Sequence, residues 1–311
     1  MAINKNIHTI DLMLGIPEQE DRSDWYKFME PLLRDEESKS MFKMPAQYMF
    51  KDIPETGSHD DFIQYTIEQM DRFHINQAMI GFHESSEVKK EAAKNHADRF
   101  FFDLPVNPNI ENEAENIKRH YESYGIKAVS AFPSGMYPQI AINDPKWHPI
   151  YEMCVELDIP FFCCVGVPGP RIPMAPQKVE LIDEVCWYFP ELKFVIPHGG
   201  GAVPYHWGRY RGLAQDMKKP LLEEHLLANV FFDTCVYHQA GIDCLTKVIP
   251  AKNILFASEM VGAVRGIDPQ TKNYFDDTKR YIDATPNLTE AEKQLIFFKN
   301  AYSVYPRLSK E

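Results

Sequence analysis

The chain has 311 residues, 44% of them hydrophobic and 25% charged, with a formal net charge of −12. That composition is ordinary for a soluble globular enzyme or small-molecule binding protein, and 20 Phe with 15 Tyr exceed what a disordered chain carries. The negative balance argues against nucleic acid and anionic membrane as partners, because both require cations, and no run of about 18 apolar residues is present.

The N-terminal stretch MAINKNIHTIDLML reaches no small-residue cleavage site, so it reads as a first strand over Ile7–Met13 rather than as a signal peptide. A cytoplasmic, reducing setting is expected. In that setting Cys154, Cys163, Cys164, Cys186, Cys235 and Cys244, which lack CxxC spacing, read as small buried hydrophobes. Residues 15–58 then break the pattern, with Pro17, Pro31, Pro45 and Pro54 among Trp25, Tyr26, Phe28, Met41, Phe42, Met44, Tyr48, Met49 and Phe50. A structureless loop of that length is unusual, so short helices packed over one end of the domain are expected, as a lid, a substrate wall or an oligomer contact.

Seven further apolar runs follow: Gln77–Phe82, Phe101–Val106, Lys127–Phe132, Pro160–Gly166, Lys193–Pro197, Asn229–Thr234 and Asn253–Ser258. They are nearly unbroken in Phe, Val and Ile, as strands buried on both faces are. Helical segments lie between them. Trp147, Ile150, Tyr151, Cys154 and Leu157 share one helical face behind Asp144-Pro145, and Leu181, Ile182, Val185, Cys186 and Phe189 share another. Eight strands alternating with helices predict a single (β/α)8 TIM barrel over residues 1–311, carrying residues 15–58 as an insertion after strand one. An open doubly wound sheet is the competing architecture.

Barrel sites gather where strands end. Strand six runs into Pro197-His198-Gly199-Gly200-Gly201, where the glycines let backbone pass close to a ligand and their N–H groups could face an anion. His198 is a base or metal ligand on one reading and a structural histidine on the other. Strand eight leads to Glu259 and, beyond it, Arg265, whose planar fork suits a substrate carboxylate unless it simply pairs with the glutamate. His238 follows strand seven as a second rim imidazole or a helix cap. Of Cys163 and Cys164 only one can face inward, because side chains alternate along a strand. Arg171 is a further candidate for an anionic substrate.

The blocks LKFVIPHGGGAVPYHWGRYRGLAQ, NVFFDTCVYHQ and NILFASEMVGAVRGIDPQTKNYFDDTKRYI resemble the amidohydrolase-related (amidohydrolase 2) family. Within it they are most similar to the branch of 4-oxalomesaconate hydratases and aminocarboxymuconate-semialdehyde decarboxylases. The likeness is detailed over residues 192–281, recognisable from about residue 143 and poor before residue 62. The resemblance implies a (β/α)8 barrel with its site at the C-terminal mouth. It implies a divalent metal, usually zinc, held by an HxH after strand one, a histidine after strand five and an acid after strand eight. It places His198 on the general acid/base and Glu259 on the acidic ligand. The chain departs at the other ligands: Met13 and Gly15 stand in the HxH slots and Cys164 stands for the strand-five histidine. Methionine is a soft neutral donor and glycine has no side chain. No cofactor is therefore expected, unless Cys164, His198 and Glu259 rebuild a zinc site as thiolate, imidazole and carboxylate.

Three functions fit these residues. One is a lyase, a decarboxylase or hydratase, acting on a small carboxylated, ring-derived anion through His198, Glu259 and Arg265, with Gly199, Gly200, His238 and Arg171 in substrate binding. Another is a hydrolase of a lactone or ester-like small molecule. The third is a catalytically silent paralogue that binds a ligand or stabilises a partner chain. A homodimer or higher homo-oligomer is expected, because the insertion and Phe297–Leu308 are apolar enough to pair and the resemblance points the same way. Arg265→Lys is expected to raise KM for a carboxylate substrate because the bidentate fork is lost; steady-state kinetics showing an unchanged KM would remove Arg265 from the binding site.

Overall fold

A computed structural model describes residues 7–18, 26–40, 58–206, 229–261, 266–269, 271–274 and 277–308. Its strands are β1 (Ile10–Leu14), β2 (Gln77–Gly81), β3 (Phe100–Pro105), β4 (Ala128–Ala131), β5 (Phe161–Cys163), β6 (Phe194–Ile196), β7 (Val230–Asp233) and β8 (Ile254–Leu255). Each pairs in parallel with its neighbour, in the order β1 to β8. Every strand lies within or beside an apolar run read above, and the TIM barrel is the fold.

Closure between β8 and β1 relies on residues beyond the end of β8. Leu12 N donates to Phe256 O at 3.0 Å, Glu259 N to Met13 O at 2.8 Å and Gly15 N to Met260 O at 3.4 Å. Asp11 reinforces this seam from within the wall. Its Oδ1 accepts from the N–H of Met13 and of Ser258, both at 3.1 Å, and its Oδ2 accepts from the Ser258 hydroxyl. That hydroxyl in turn accepts from Met260 N at 2.9 Å.

Two apolar layers result. Inside the barrel, Ile10, Leu12, Met79, Phe101, Ala128, Val195 and Leu255 meet Ala301, Val304, Tyr305 and Leu308, which plug the bottom from the C-terminal segment. This corrects the expectation that Phe297–Leu308 offers a pairing surface: Phe297, Val304, Tyr305 and Leu308 are buried within their own chain. Outside the barrel, helix His148–Glu156 buries Ile150, Tyr151 and Cys154, and a turn at Pro145–Trp147 leads into it, opened by Asp144 accepting from Lys146 N. The Trp147 and Tyr151 rings stack at 6.1 Å and both meet Phe161 of β5 edge-on. Each such fully buried large side chain contributes roughly 1.5–3 kcal/mol by leaving water.

All six cysteines are free thiols. Cys154, Cys163, Cys186 and Cys235 are buried as expected, but Cys244 is exposed on helix Gln239–Val248 and Cys164 is partly open at the mouth. Of the insertion, a 3-10 turn Lys27–Leu32 and a helix Glu36–Ser40 are described; Trp25, Met41, Phe42, Met44, Tyr48, Met49 and Phe50 lie outside the described residues. Among the described residues no helix is long and apolar enough to cross a membrane.

Burial raises the Asp11 carboxyl from its ordinary 3.8 to about 7, against the hydrogen bonds from Ser258 and Met13 that favour the carboxylate. A raised acid contributes stability at low pH that is lost as pH rises through the folded value. The displacement corresponds to roughly 4 kcal/mol as an upper bound. Asp11→Asn keeps the shape and the Oδ1 acceptor, so it is expected to flatten the fall in stability between about pH 4 and pH 7, measured by urea denaturation at each pH. A wild-type slope in the variant would show that Asp11 does not ionise in that window.

Candidate active site

The C-terminal mouth of the barrel opens into a cavity of about 1040 Å³. Met13, Phe132, Cys164, His198, Tyr237 and Glu259 line it, each at or just beyond the end of a strand. Tyr26, Phe28 and Met29 of the insertion form part of the wall, with the stretch from Val165 to Pro170 opposite. The volume reaches the upper end of ordinary ligand sites.

Asp233, at the end of β7, ties two of the rim loops together. Its Oδ1 accepts from Cys235 N at 3.0 Å, and Gly199 N–H also donates to the carboxyl. Burial pushes this acid up to about 6, and the neighbouring His198 charge opposes the rise. Its Oδ2 is buried without a hydrogen-bond partner. Thus Asp11 anchors the loop that carries Glu259, and Asp233 anchors those that carry His198 and Tyr237.

The loops themselves bend sharply. His198, Tyr237, Glu259 and Val261 all have left-handed backbone, with φ of 55°, 59°, 56° and 63°. Non-glycine residues seldom adopt this conformation, and it persists where surrounding structure imposes it. The result brings an imidazole, a phenol and a carboxylate together. Tyr237 donates its hydroxyl to Glu259 Oε2, and its ring lies 6.0 Å from that of His198. Cys235, buried beneath them, directs its thiol to Ser258 O at 3.6 Å and to Glu259 Oε2 at 3.7 Å.

His198 Nδ1 lies 3.3 Å from the carbonyl oxygen of Cys235. A carbonyl only accepts, so this contact puts the proton on Nδ1 and leaves Nε2 as the basic nitrogen. The Cys164 thiol also hydrogen-bonds the ring. Burial alone would lower the imidazole, but the Cys235 sulfur first, then hydrogen bonds with Cys164 and Cys235 and the neighbouring Glu259, hold it above its ordinary range. Burial pushes the Cys235 thiol far up. The same burial raises the Tyr237 phenol well above its usual value, keeping it a donor.

The structure therefore brings His198, Glu259 and Cys164 to one cavity and disperses the other candidates. His238 is exposed, and its Nδ1 accepts from Gly241 N at 3.0 Å; it caps helix Gln239–Val248 and is no cavity-lining residue. Arg171 pairs with Glu37 at 2.6 Å and Asp35 at 3.4 Å, which straps the insertion helix to the wall instead of facing substrate. The glycine amides are already engaged: Gly199 with Asp233, Gly200 with Pro197 O at 3.0 Å, and Gly201 with His198 O at 3.3 Å. Gly199 and Gly200 are there for close packing. A Cβ would come within 2.6 Å of Val236 at the first and 2.3 Å of Phe232 at the second. Arg265 lies outside the described residues.

Asp11, Asp233, Cys235 and Tyr237 were not singled out from the sequence. The two aspartates carried a usable signal, since an acid inside an otherwise apolar strand must be buried and hydrogen-bonded. Tyr237 and Cys235 carried none, because their roles depend on left-handed turns that no local residue pattern announces.

Comparison with known proteins agrees with the geometry. The amidohydrolase family profile matches residues 25–307. A 2-keto-4-carboxy-3-hexenedioate hydratase of Sphingobium sp. is 51% identical over 185 residues, 56% of this chain and 54% of that protein, so the match spans about half the relative's length. The crystal structure of a 4-oxalomesaconate hydratase from Rhodopseudomonas palustris is 36% identical, covers 96% of both chains and superposes with a TM-score of 0.68. A 5-carboxyvanillate decarboxylase from Novosphingobium aromaticivorans, solved with manganese, shares 17% identity over 97% of both chains at a TM-score of 0.66, a likeness of fold alone.

The metal that the resemblance implies finds no fitting donor set in its usual place. There, Met13 offers a thioether, Gly15 nothing and Cys164 a partly open thiol beside His198. Beside Glu259 this falls short of the three strong ligands that a catalytic ion requires.

The tight packing of the rim loop gives a direct test. Gly200→Ala forces a Cβ into the Phe232 ring at φ +73°, and is expected to cost about 2–4 kcal/mol, combining backbone strain with overpacking. Gly201→Ala, whose Cβ meets nothing closer than 3.6 Å, is expected to cost less. Thermal unfolding of the two variants measures the difference, and equal losses would contradict the packing role.

Proposed function

The chain belongs to the amidohydrolase family, and we propose that it is a lyase acting on a small carboxylated, ring-derived compound without a metal at the usual family position. The observation that carries this reading is the convergence of His198 and Glu259, bridged through Tyr237, on the floor of one cavity. Hydration is favoured within the lyase class, because the relatives at 36% and 51% identity are named as hydratases.

Adding water across a C=C conjugated to a carbonyl needs one group to take a proton from water and another to deliver a proton to carbon. Glu259, with one oxygen held by Tyr237, has its second oxygen for the water proton. His198 is charged over a wider pH range than a free imidazole, and its Nε2–H is the acid that protonates carbon. The Nδ1 contact with Cys235 O keeps the tautomer fixed as the proton leaves and returns. The imidazolium also lies where negative charge develops on the conjugated system, supplying part of the polarisation that a metal would otherwise give. Decarboxylation would use the same imidazolium to protonate the carbon that loses carbon dioxide. A small anionic substrate suits either course, and Arg265 remains its proposed carboxylate clamp.

His198→Asn is expected to abolish turnover of a 4-carboxy-substituted keto-hexenedioate, followed by the loss of conjugated absorbance. The melting temperature should stay unchanged, because asparagine tolerates the left-handed backbone at this position. Activity equal to the wild type would remove His198 from proton transfer.

A further inference from the structure

Three donors from three different loops meet at the cavity floor, with Cys235 beneath the other two. An imidazole nitrogen of His198, the Cys235 sulfur and a Glu259 carboxylate oxygen all lie within 4.8 Å of one another. We propose that His198, Cys235 and Glu259 form a thiolate-containing site for one divalent cation, displaced to the β6–β8 side of the mouth and selective for zinc over manganese.

The electrostatics of the floor support a cation there. Glu259 and the buried Asp233 both border His198, and Asp233 retains an Oδ2 without a hydrogen-bond partner. Among the described residues that line the cavity, Lys178 is the other group able to carry positive charge, set against Glu180 and Glu259. Two acids beside a single imidazole leave a negative balance that is costly where it is buried, and a divalent ion between the donors would offset that cost. Three protein ligands also leave a fourth, open position for water or ligand, the arrangement of an accessible zinc site.

The donor set decides the metal. Sulfur, nitrogen and oxygen in this combination suit zinc or cobalt, whereas manganese prefers all-oxygen surroundings. Binding exchanges protons for the metal: the S–H bond breaks as the S–metal bond forms with the sulfur electron pair, a charged His198 loses the proton on its coordinating nitrogen as that lone pair binds, and both protons pass to solvent. The cation also engages the imidazole to which the lyase reading assigns proton transfer. The inference thus rests on that reading for its functional consequence, namely that zinc inhibits turnover.

The test uses the full chain, depleted of metal with a chelator and dialysed. Calorimetry is expected to show one zinc per chain with proton release and no comparable uptake of manganese. Cobalt is expected to give a sulfur-to-metal charge-transfer band that Cys235→Ser abolishes and Cys164→Ser retains. Glu259→Gln provides a second variant if Cys235→Ser does not fold, and should weaken zinc binding by more than about 100-fold, the most that loss of a merely supporting partner costs. No retained zinc, equal affinity for manganese, or a band that depends on Cys164 instead of Cys235 would each overturn the proposal. Turnover by a chain that binds no zinc would remove the site and leave the lyase reading intact. Cys235-dependent zinc binding without turnover by any form would do the reverse.

Discussion

The mouth of this barrel depends on a carboxyl group buried in its wall. Asp11 reaches across the only junction where chain-distant strands must meet and accepts three hydrogen bonds from Met13 and Ser258, the latter 247 residues away. An unpaired carboxyl in that position would be costly, so its bonds also act as a register: Ser258 must stand opposite Asp11. Once that register is set, Glu259 has its N–H on Met13 O and projects over the cavity. The acid at the floor is thus placed by a side chain that never touches it.

Asp233 repeats the device two strands away, drawing together Gly199 and Cys235. Both acids are held above their ordinary values by burial. The rim therefore combines strained backbone, buried acids and an imidazole held above its usual range, each of which would be unfavourable alone. Such local conflicts persist in folded proteins mainly where chemistry or binding needs them. They hold His198, Tyr237 and Glu259 in one geometry, with Met13 and Cys164 in the same cavity lining.

The barrel was legible in the chain because a doubly buried strand leaves an unbroken run of Phe, Val and Ile, and eight such runs with helices between them leave few alternatives. His198 and Glu259 were legible because strand ends are where a barrel exposes function. The partners of His238, Arg171 and the glycine amides were not legible, for one shared reason. Each has a partner that proximity in sequence does not reveal: His238 caps its own helix, Arg171 meets Asp35 and Glu37 some 134 residues away, and the amides turn inward to Asp233, Pro197 and His198. A polar group's availability to a ligand depends on its competitors, and those belong to the folded state.

The plug formed by Ala301, Val304, Tyr305 and Leu308 has a bearing on biosynthesis. The seam is complete once Met260 has been made, but the plug comes from a segment some 40 residues further on. Between those two points a growing chain holds all eight strands around an interior whose lower end is open to water. Demand for a chaperone should be greatest in that interval and fall as Ala301–Leu308 seats.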